Sequence, residues 1–164
     1  MEPDEGVNLS HYTAEPFVFD RTRTYDQTEF GNGKPRGLWL SVDGEDDWPA
    51  WCRNEQFRLE TLEHRAVFTI AADAEVLRIG NLGELKAFTA EYRDHPAFAG
   101  TDLGSHWIDW PRVAARYDGI LITPYLWDAR YDLNSMWYYG WDCASGCVWN
   151  LAALVPADVL EVTS

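Results

Sequence analysis

The chain has 164 residues, 46% of them hydrophobic and 15% aromatic, and its 27 acidic and 13 basic side chains give a formal charge of −14. Such a charge repels phosphate backbones and anionic membranes, so nonspecific nucleic-acid binding is not expected. It suits a basic partner, or mimicry of nucleic acid, and it leaves open a local basic patch around Arg21, Arg23, Lys34 and Arg36. The length is that of one domain able to bury a core without disulfide staples.

An odd count of three cysteines makes no disulfide framework. Cys143 and Cys147 are spaced CxxxC, but no second cysteine pair exists and His11, His64, His95 and His106 are scattered. A structural zinc site needs four clustered ligands, so no metal is expected. No apolar run approaches the roughly 20 residues of a membrane helix. The acidic, polar start does not resemble a secretory signal. Together these point to the reducing cytoplasm.

Residues 1–6 read as a flexible tail and 7–164 as a single globular domain. Residues 7–13 form the first predicted strand. The stretch 14–36 is rich in Pro, Asp, Thr and Gly and is long for a simple connection, and such loops are usually functional or partly disordered. Strand content returns at 37–42. Asp46 or Asp47 then caps a helix with Pro49 in its first turn, running to about residue 56. Residues 64–70 and 76–79 read as strands. Asn81 caps a helix over 82–92, with Leu82, Leu85, Phe88 and Tyr92 roughly on one face.

After a loop over 94–106, a helix spans about 110–116, with Pro111 at its start and Asp118-Gly119 as its stop. Strands follow at 120–123 and 147–151, and residues 159–162 close the sheet. Strands dominate without regular alternation, which gives an α+β class with two or three helices.

Three constellations could carry chemistry. His11-Tyr12-Thr13 ends a strand ahead of the long loop, where His11 and Thr13 can bond sugar hydroxyls. In the second strand, alternation puts Gly37, Trp39 and Ser41 on one face. Gly37 there admits a ligand or another backbone, Trp39 offers a flat wall and Ser41 a hydroxyl. Late in the chain, Trp137-Tyr138-Tyr139-Gly140-Trp141-Asp142 sets a carboxylate among aromatics, ahead of Cys143-Ala144-Ser145-Gly146-Cys147. A carboxylate so placed must be functional or hydrogen-bonded, because an unpaired buried charge is costly. Residues 127–132 read as a polar loop with aromatic walls, in which Arg130 pairs with Asp128 or Asp132 or holds a phosphate.

The order of these segments resembles the ADP-ribosyltransferase superfamily, over about 140 residues and in motif order rather than close identity. His11 is similar to the family's first-strand His or Arg. Ser41, in Gly37-Leu38-Trp39-Leu40-Ser41, matches its second-strand hydroxyl residue. Asp142 stands in the late segment that often brings a Glu, with Glu161 a distant second choice. The resemblance implies a split, mostly antiparallel β core and NAD as substrate. The bond between nicotinamide and ribose would be cleaved, and ADP-ribose would pass to a protein side chain, a nucleic-acid base or water. It further implies that His11, Tyr12, Thr13, Gly37, Trp39 and Tyr139 hold NAD while Asp142 and Ser41 act in the reaction, in one shared cleft. Two other readings stand beside it. One is a noncatalytic module that stacks a nucleotide or sugar on its aromatics. The other is an acidic interaction protein that engages a basic partner or mimics nucleic acid.

Overall fold

The computed structural model describes residues 8–157. The short apolar runs become β1 (Leu9–Thr13), β2 (Leu38–Val42), β3 (His64–Ile70), β4 (Val76–Ile79), β5 (Gly119–Ile122), β6 (Ser145–Val148) and β7 (Leu154–Pro156). They join in one seven-stranded sheet of order β4-β5-β6-β2-β1-β3-β7. Five of the six pairings are antiparallel and one, β4 with β5, is parallel. The fold is therefore α+β with a mixed sheet.

The capped segments become α1 (Trp48–Glu55), α2 (Leu82–Tyr92) and α3 (Trp110–Arg116), and an uncapped fourth helix, beyond the two or three expected, is α4 (Trp127–Arg130). Asp47, rather than Asp46, caps α1 by accepting from the Ala50 N–H at 2.9 Å. Asn81 caps α2 by accepting from the Glu84 N–H at 2.8 Å, and Glu84 reaches back to accept from the Gly80 N–H at 2.7 Å. Such reciprocal bonds satisfy two donors that a helix start leaves orphaned. No helix among the described residues is long and apolar enough to cross a membrane.

The parallel β4–β5 pair requires a crossover, and α2 and α3 supply it. Their inward faces place Leu85, Phe88, Trp110 and Val113 in the core, with Trp137 among them. The Trp137 ring lies 5.5 Å from Phe88 and 5.9 Å from Trp110. Trp110, Trp137 and Trp141 are fully buried in the core.

Several elements depart from expectation. Residues 127–132 are not a loop but begin as α4, and a 3₁₀ stretch follows at Leu133–Gly140. The strand expected at 147–151 runs over Ser145–Val148 instead. Asn150 ends it by accepting from the Ala152 N–H at 3.3 Å, which starts a 3₁₀ turn. Small residues suit the earlier register, because a Cβ on Gly146 would lie 2.7 Å from the Ile120 carbonyl oxygen. The edge strands among the described residues are β4 and β7. The expected strand at 159–162 and the tail at 1–6 lie outside the described residues.

The long 14–36 segment has no helix or strand, yet its own side chains tie it down. Gln27 is buried; its amide donates to the Arg36 carbonyl at 2.5 Å and accepts from the Arg36 N–H at 2.8 Å. Phe19 packs on Phe68 of β3 at 5.0 Å.

Two histidines make this fold sensitive to acid. His95 is buried, and its Nδ1 accepts from the Ala97 N–H at 3.0 Å, so the neutral ring carries its proton on Nε2. Burial lowers the His95 pKa from the ordinary 6.5, with Asp109 pulling weakly the other way. Burial lowers His11 as well, against a backbone hydrogen bond to Trp39. Just below the ordinary value the unfolded chain takes up protons that the fold refuses. Their contribution to stability is thus complete above that value and is lost as pH falls toward the folded pKa. The urea midpoint should drop more steeply from about pH 7 to about pH 5.5 in the wild type than in His95→Asn, which keeps an acceptor for Ala97. Equal slopes would show that His95 is not a source of the effect.

Candidate functional site

The middle of the sheet is where the strands part. β1 and β2 pair only at Leu9 with Val42 and Ser10 with Ser41, while β1 pairs with β3 over five residues and β2 with β6 over four. Beyond Ser10, a side chain replaces the ladder: His11 Nδ1 donates to the Trp39 carbonyl at 2.7 Å. Burial holds the imidazole neutral at pH 7, so this bond places its proton on Nδ1 and leaves Nε2 a free acceptor. Phe17 backs the ring at 4.6 Å.

A cavity of about 310 Å³ opens at this divergence, and His11, Tyr12, Trp39, Ser41 and Asp142 all line it. Its volume is at the low end for small-molecule sites. His11 and Asp142 therefore share one cleft, although 131 positions separate them in the sequence.

Its floor is a row of hydroxyls that strand register alone creates. Ser10 faces Ser41, and Ser41 faces Ser145, across β1, β2 and β6. Ser10 donates to Asp43 Oδ1 at 2.9 Å and Ser145 donates to the Cys143 carbonyl at 3.0 Å. Ser41 Oγ instead accepts from the Trp48 N–H at 2.8 Å. Its own O–H has no acceptor among the described residues and can donate into the cavity.

Asp142 has one oxygen committed. Arg130 Nη1 lies 3.2 Å from Asp142 Oδ1, 2.7 Å from the Tyr125 hydroxyl and 3.3 Å from the Trp141 carbonyl. The guanidinium also lies 5.0 Å from the Trp51 ring and 5.1 Å from Tyr139. Burial works against its charge, but bonds to Tyr125, Tyr131 and Asp142 outweigh that and hold its pKa above the ordinary value. The expected partners Asp128 and Asp132 are thus replaced by Asp142, and Asp132 faces Lys86 instead at 3.9 Å. Asp142 Oδ2 keeps no partner among the described residues.

Other walls are apolar. Trp39 and Trp141 meet edge to face at 4.8 Å, and the buried Trp141 Nε1 has no hydrogen-bond partner among the described residues. At the loop side, Lys34 lines the cavity with its ammonium 5.4 Å from the Trp39 ring centroid. Among the described residues Lys34 is the one side-chain cation in the lining and Asp142 the one carboxylate, while His11 is neutral.

Three of the expected site residues are elsewhere. Thr13 turns away, donating to the Glu15 carbonyl at 2.6 Å. Gly37 serves a backbone rather than a ligand, since a Cβ there would lie 2.6 Å from the Val148 carbonyl oxygen. Tyr139 is outside the lining and stacks on Arg130.

Comparison with protein-family models, curated proteins and solved structures found no match for the chain.

The remaining chemistry is quickly bounded. All three cysteines are free and buried. Burial pushes the Cys143 thiol up to about 12 and Cys147 well above its ordinary value, so neither supplies a thiolate at neutral pH. No group of three or more His, Cys, Asp or Glu among the described residues could hold a metal ion. A second groove, about 290 Å³, carries Lys86, Arg93 and His106. Its longer cations are already faced by acids, Lys86 by Asp132 and Arg93 by Asp94, each at 3.9 Å.

Sequence reasoning placed Lys34 only in a local basic patch, did not assign Ser10 or Ser145 to the site, and paired Arg130 with Asp128 or Asp132. Lys34 stands beside Gly33 in the long 14–36 segment. The serines carry no local signal, because only register brings them together.

Proposed function

We propose that the cleft binds NAD by its nicotinamide end and cleaves the bond between nicotinamide and ribose, in the manner of the ADP-ribosyltransferase superfamily. The observation that carries this reading is the cavity at the β1–β2 divergence. It gathers His11, Trp39, Ser41 and Asp142 from three distant segments. Its size accommodates a ring and its ribose, with the diphosphate extending toward Lys34.

Each residue has a role that follows from its state. Trp39 supplies a flat wall for the pyridinium ring. His11 Nε2 accepts from a ribose hydroxyl, and the Ser41 O–H donates to a ribose oxygen. When the bond breaks, its electron pair leaves with neutral nicotinamide, and positive charge spreads over the ribose C1′ and ring oxygen. Asp142 Oδ2 opposes that charge with a fixed carboxylate, as preorganised electrostatic catalysis requires. The acceptor, a protein side chain, a base or water, then bonds to C1′ and gives up a proton.

One observation favours a second reading. Arg130 offsets the charge of the one lining carboxylate among the described residues, which suits a noncatalytic module that holds a nucleotide or sugar without turnover. The two readings separate in one experiment, which follows nicotinamide release and NAD binding by calorimetry in the wild type and in His11→Ala. The transferase reading expects release in the wild type, and weaker binding with little release in the variant. Binding without release, also with an arginine-bearing peptide supplied as acceptor, would favour the module instead, and absence of both would remove NAD from the account.

A further inference from the structure

Next to the cavity the chain leaves an unusual amount of aromatic and aliphatic surface in water. Trp127, Tyr131, Leu133, Met136 and Tyr139 are all exposed, and Tyr131 and Leu133 are each 75% accessible. Trp127 lies in α4, Tyr131 ends it, and Leu133, Met136 and Tyr139 lie in the 3₁₀ stretch that follows. The Tyr131 and Tyr139 rings lie 6.0 Å apart. Isolated exposed apolar residues need no explanation, but a contiguous group marks an interaction site.

The patch is continuous with acid. Trp127 Nε1 donates to Asp46 Oδ2 at 3.3 Å, which joins it to the turn Asp43-Gly44-Glu45-Asp46-Asp47. Glu45 and Asp128 are exposed and form no ion pair with any described residue. On the inner side, Arg130 connects the tyrosines to Asp142 in the cavity wall.

Aromatic faces bordered by free carboxylates favour a flat cation. The molecule demonstrates the pairing on itself. The Arg130 guanidinium lies 5.0 Å from Trp51, 5.1 Å from Tyr139 and 5.9 Å from Tyr131, with Asp142 at 3.2 Å. Both tyrosines remain largely exposed beyond that contact. Guanidinium stacks on rings and pairs with carboxylates in one plane, which a lysine ammonium does not. A single nucleic-acid strand could also stack on such rings, but the acidic turn and the overall charge of −14 oppose its phosphates.

We propose that this aromatic and acidic surface docks an arginine-bearing, basic polypeptide segment at the mouth of the cavity. The proposal rests on the NAD reading only in treating the docked segment as the acceptor of ADP-ribose. Docking itself is measured without NAD, so either idea can fail alone.

The test is fluorescence anisotropy of a labelled peptide of Arg-Gly-Gly repeats, its Lys-Gly-Gly counterpart and a labelled oligothymidylate. The proteins are the full chain, Tyr131→Ser/Leu133→Ser, Asp128→Lys and the control Asp73→Lys, an exposed residue between β3 and β4 that carries the same change of net charge. The altered side chains are all exposed, so the variants should keep wild-type circular dichroism. The arginine peptide should bind at least about fivefold tighter than the lysine peptide. Its affinity should fall about tenfold in Tyr131→Ser/Leu133→Ser, and further in Asp128→Lys than in Asp73→Lys. Three results would each overturn the proposal: equal affinity for the two peptides, equal affinity across the variants, or tighter binding of the oligothymidylate.

Discussion

Trp137→Ala should cost about 3–5 kcal/mol of folding stability, the range for truncating a fully buried aromatic side chain. Trp137 is 1% exposed. Its ring meets Phe88, Trp110, Tyr138 and Trp141 at centroid distances of 5.5, 5.9, 5.8 and 6.0 Å. It thereby joins the crossover helices to the wall of the cavity. Its Nε1 also donates to the Thr89 hydroxyl at 2.9 Å, and that hydroxyl donates to the Leu85 carbonyl at 2.8 Å. Alanine would leave a cavity and remove one of these bonds together. Against a total of about 5–15 kcal/mol for a domain, such a loss shifts the denaturation midpoint drastically. Trp137→Phe separates the two contributions. It keeps most of the packing and drops the hydrogen bond, so about 1–2 kcal/mol should be lost. Urea unfolding followed by far-ultraviolet circular dichroism measures both. A loss below about 1 kcal/mol for the alanine variant would mean that the cluster closes around the gap and is not the organiser argued here.

The legible parts of this fold are those with local causes. Residues 64–70 and 76–79 form strands as read, and Asn81 and Pro111 mark helix starts as read, because capping and periodicity act within a few residues. What depends on pairing partners was less visible. β6 starts earlier than its apolar run suggests, since Ser145 and Gly146 fit between β2 and β5 where bulkier residues would collide. Residues 127–132 looked like a loop for want of an apolar stripe, yet Ala129 and Arg130 are buried in a helical turn. Arg130 illustrates the limit most clearly. Asp128 and Asp132 are its near neighbours in sequence, but the chain folds Asp142 against it instead. Of the residues singled out for their chemistry, His11, Tyr12, Trp39, Ser41 and Asp142 line one cavity. Gly37 was recognised as a close-approach residue, though the approaching group is the Val148 backbone. The hydroxyl row of Ser10, Ser41 and Ser145 is a product of register between strands far apart in the chain.

Asp142→Asn should lower nicotinamide release about 10²- to 10³-fold while leaving NAD binding nearly intact, the size seen when one preorganised electrostatic group is lost from a site. The amide preserves shape and the contact with Arg130, but not the charge that opposes a developing oxocarbenium ion. It also leaves the Arg130 guanidinium, 9% exposed, without a counter-ion. Removing one partner of a fully buried pair costs about 3–5 kcal/mol. The Asp142 side chain is 30% exposed, so solvent screening reduces that cost, to about 1–2 kcal/mol. A loss of activity could then be a loss of fold. The double variant Asp142→Asn/Arg130→Met resolves this, because it removes the orphaned charge and should recover most of the stability. If release stays low in the double variant while its unfolding midpoint returns toward wild type, the carboxylate acts on the reaction. If release returns with the midpoint, Asp142 serves the fold alone. Arg130→Met by itself then distinguishes the two functional readings. As a positioning residue for Asp142, Arg130 should cost turnover when replaced, with a smaller drop than Asp142→Asn. Were it instead the neutralising partner of a noncatalytic site, its replacement would change ligand affinity and produce no turnover at all.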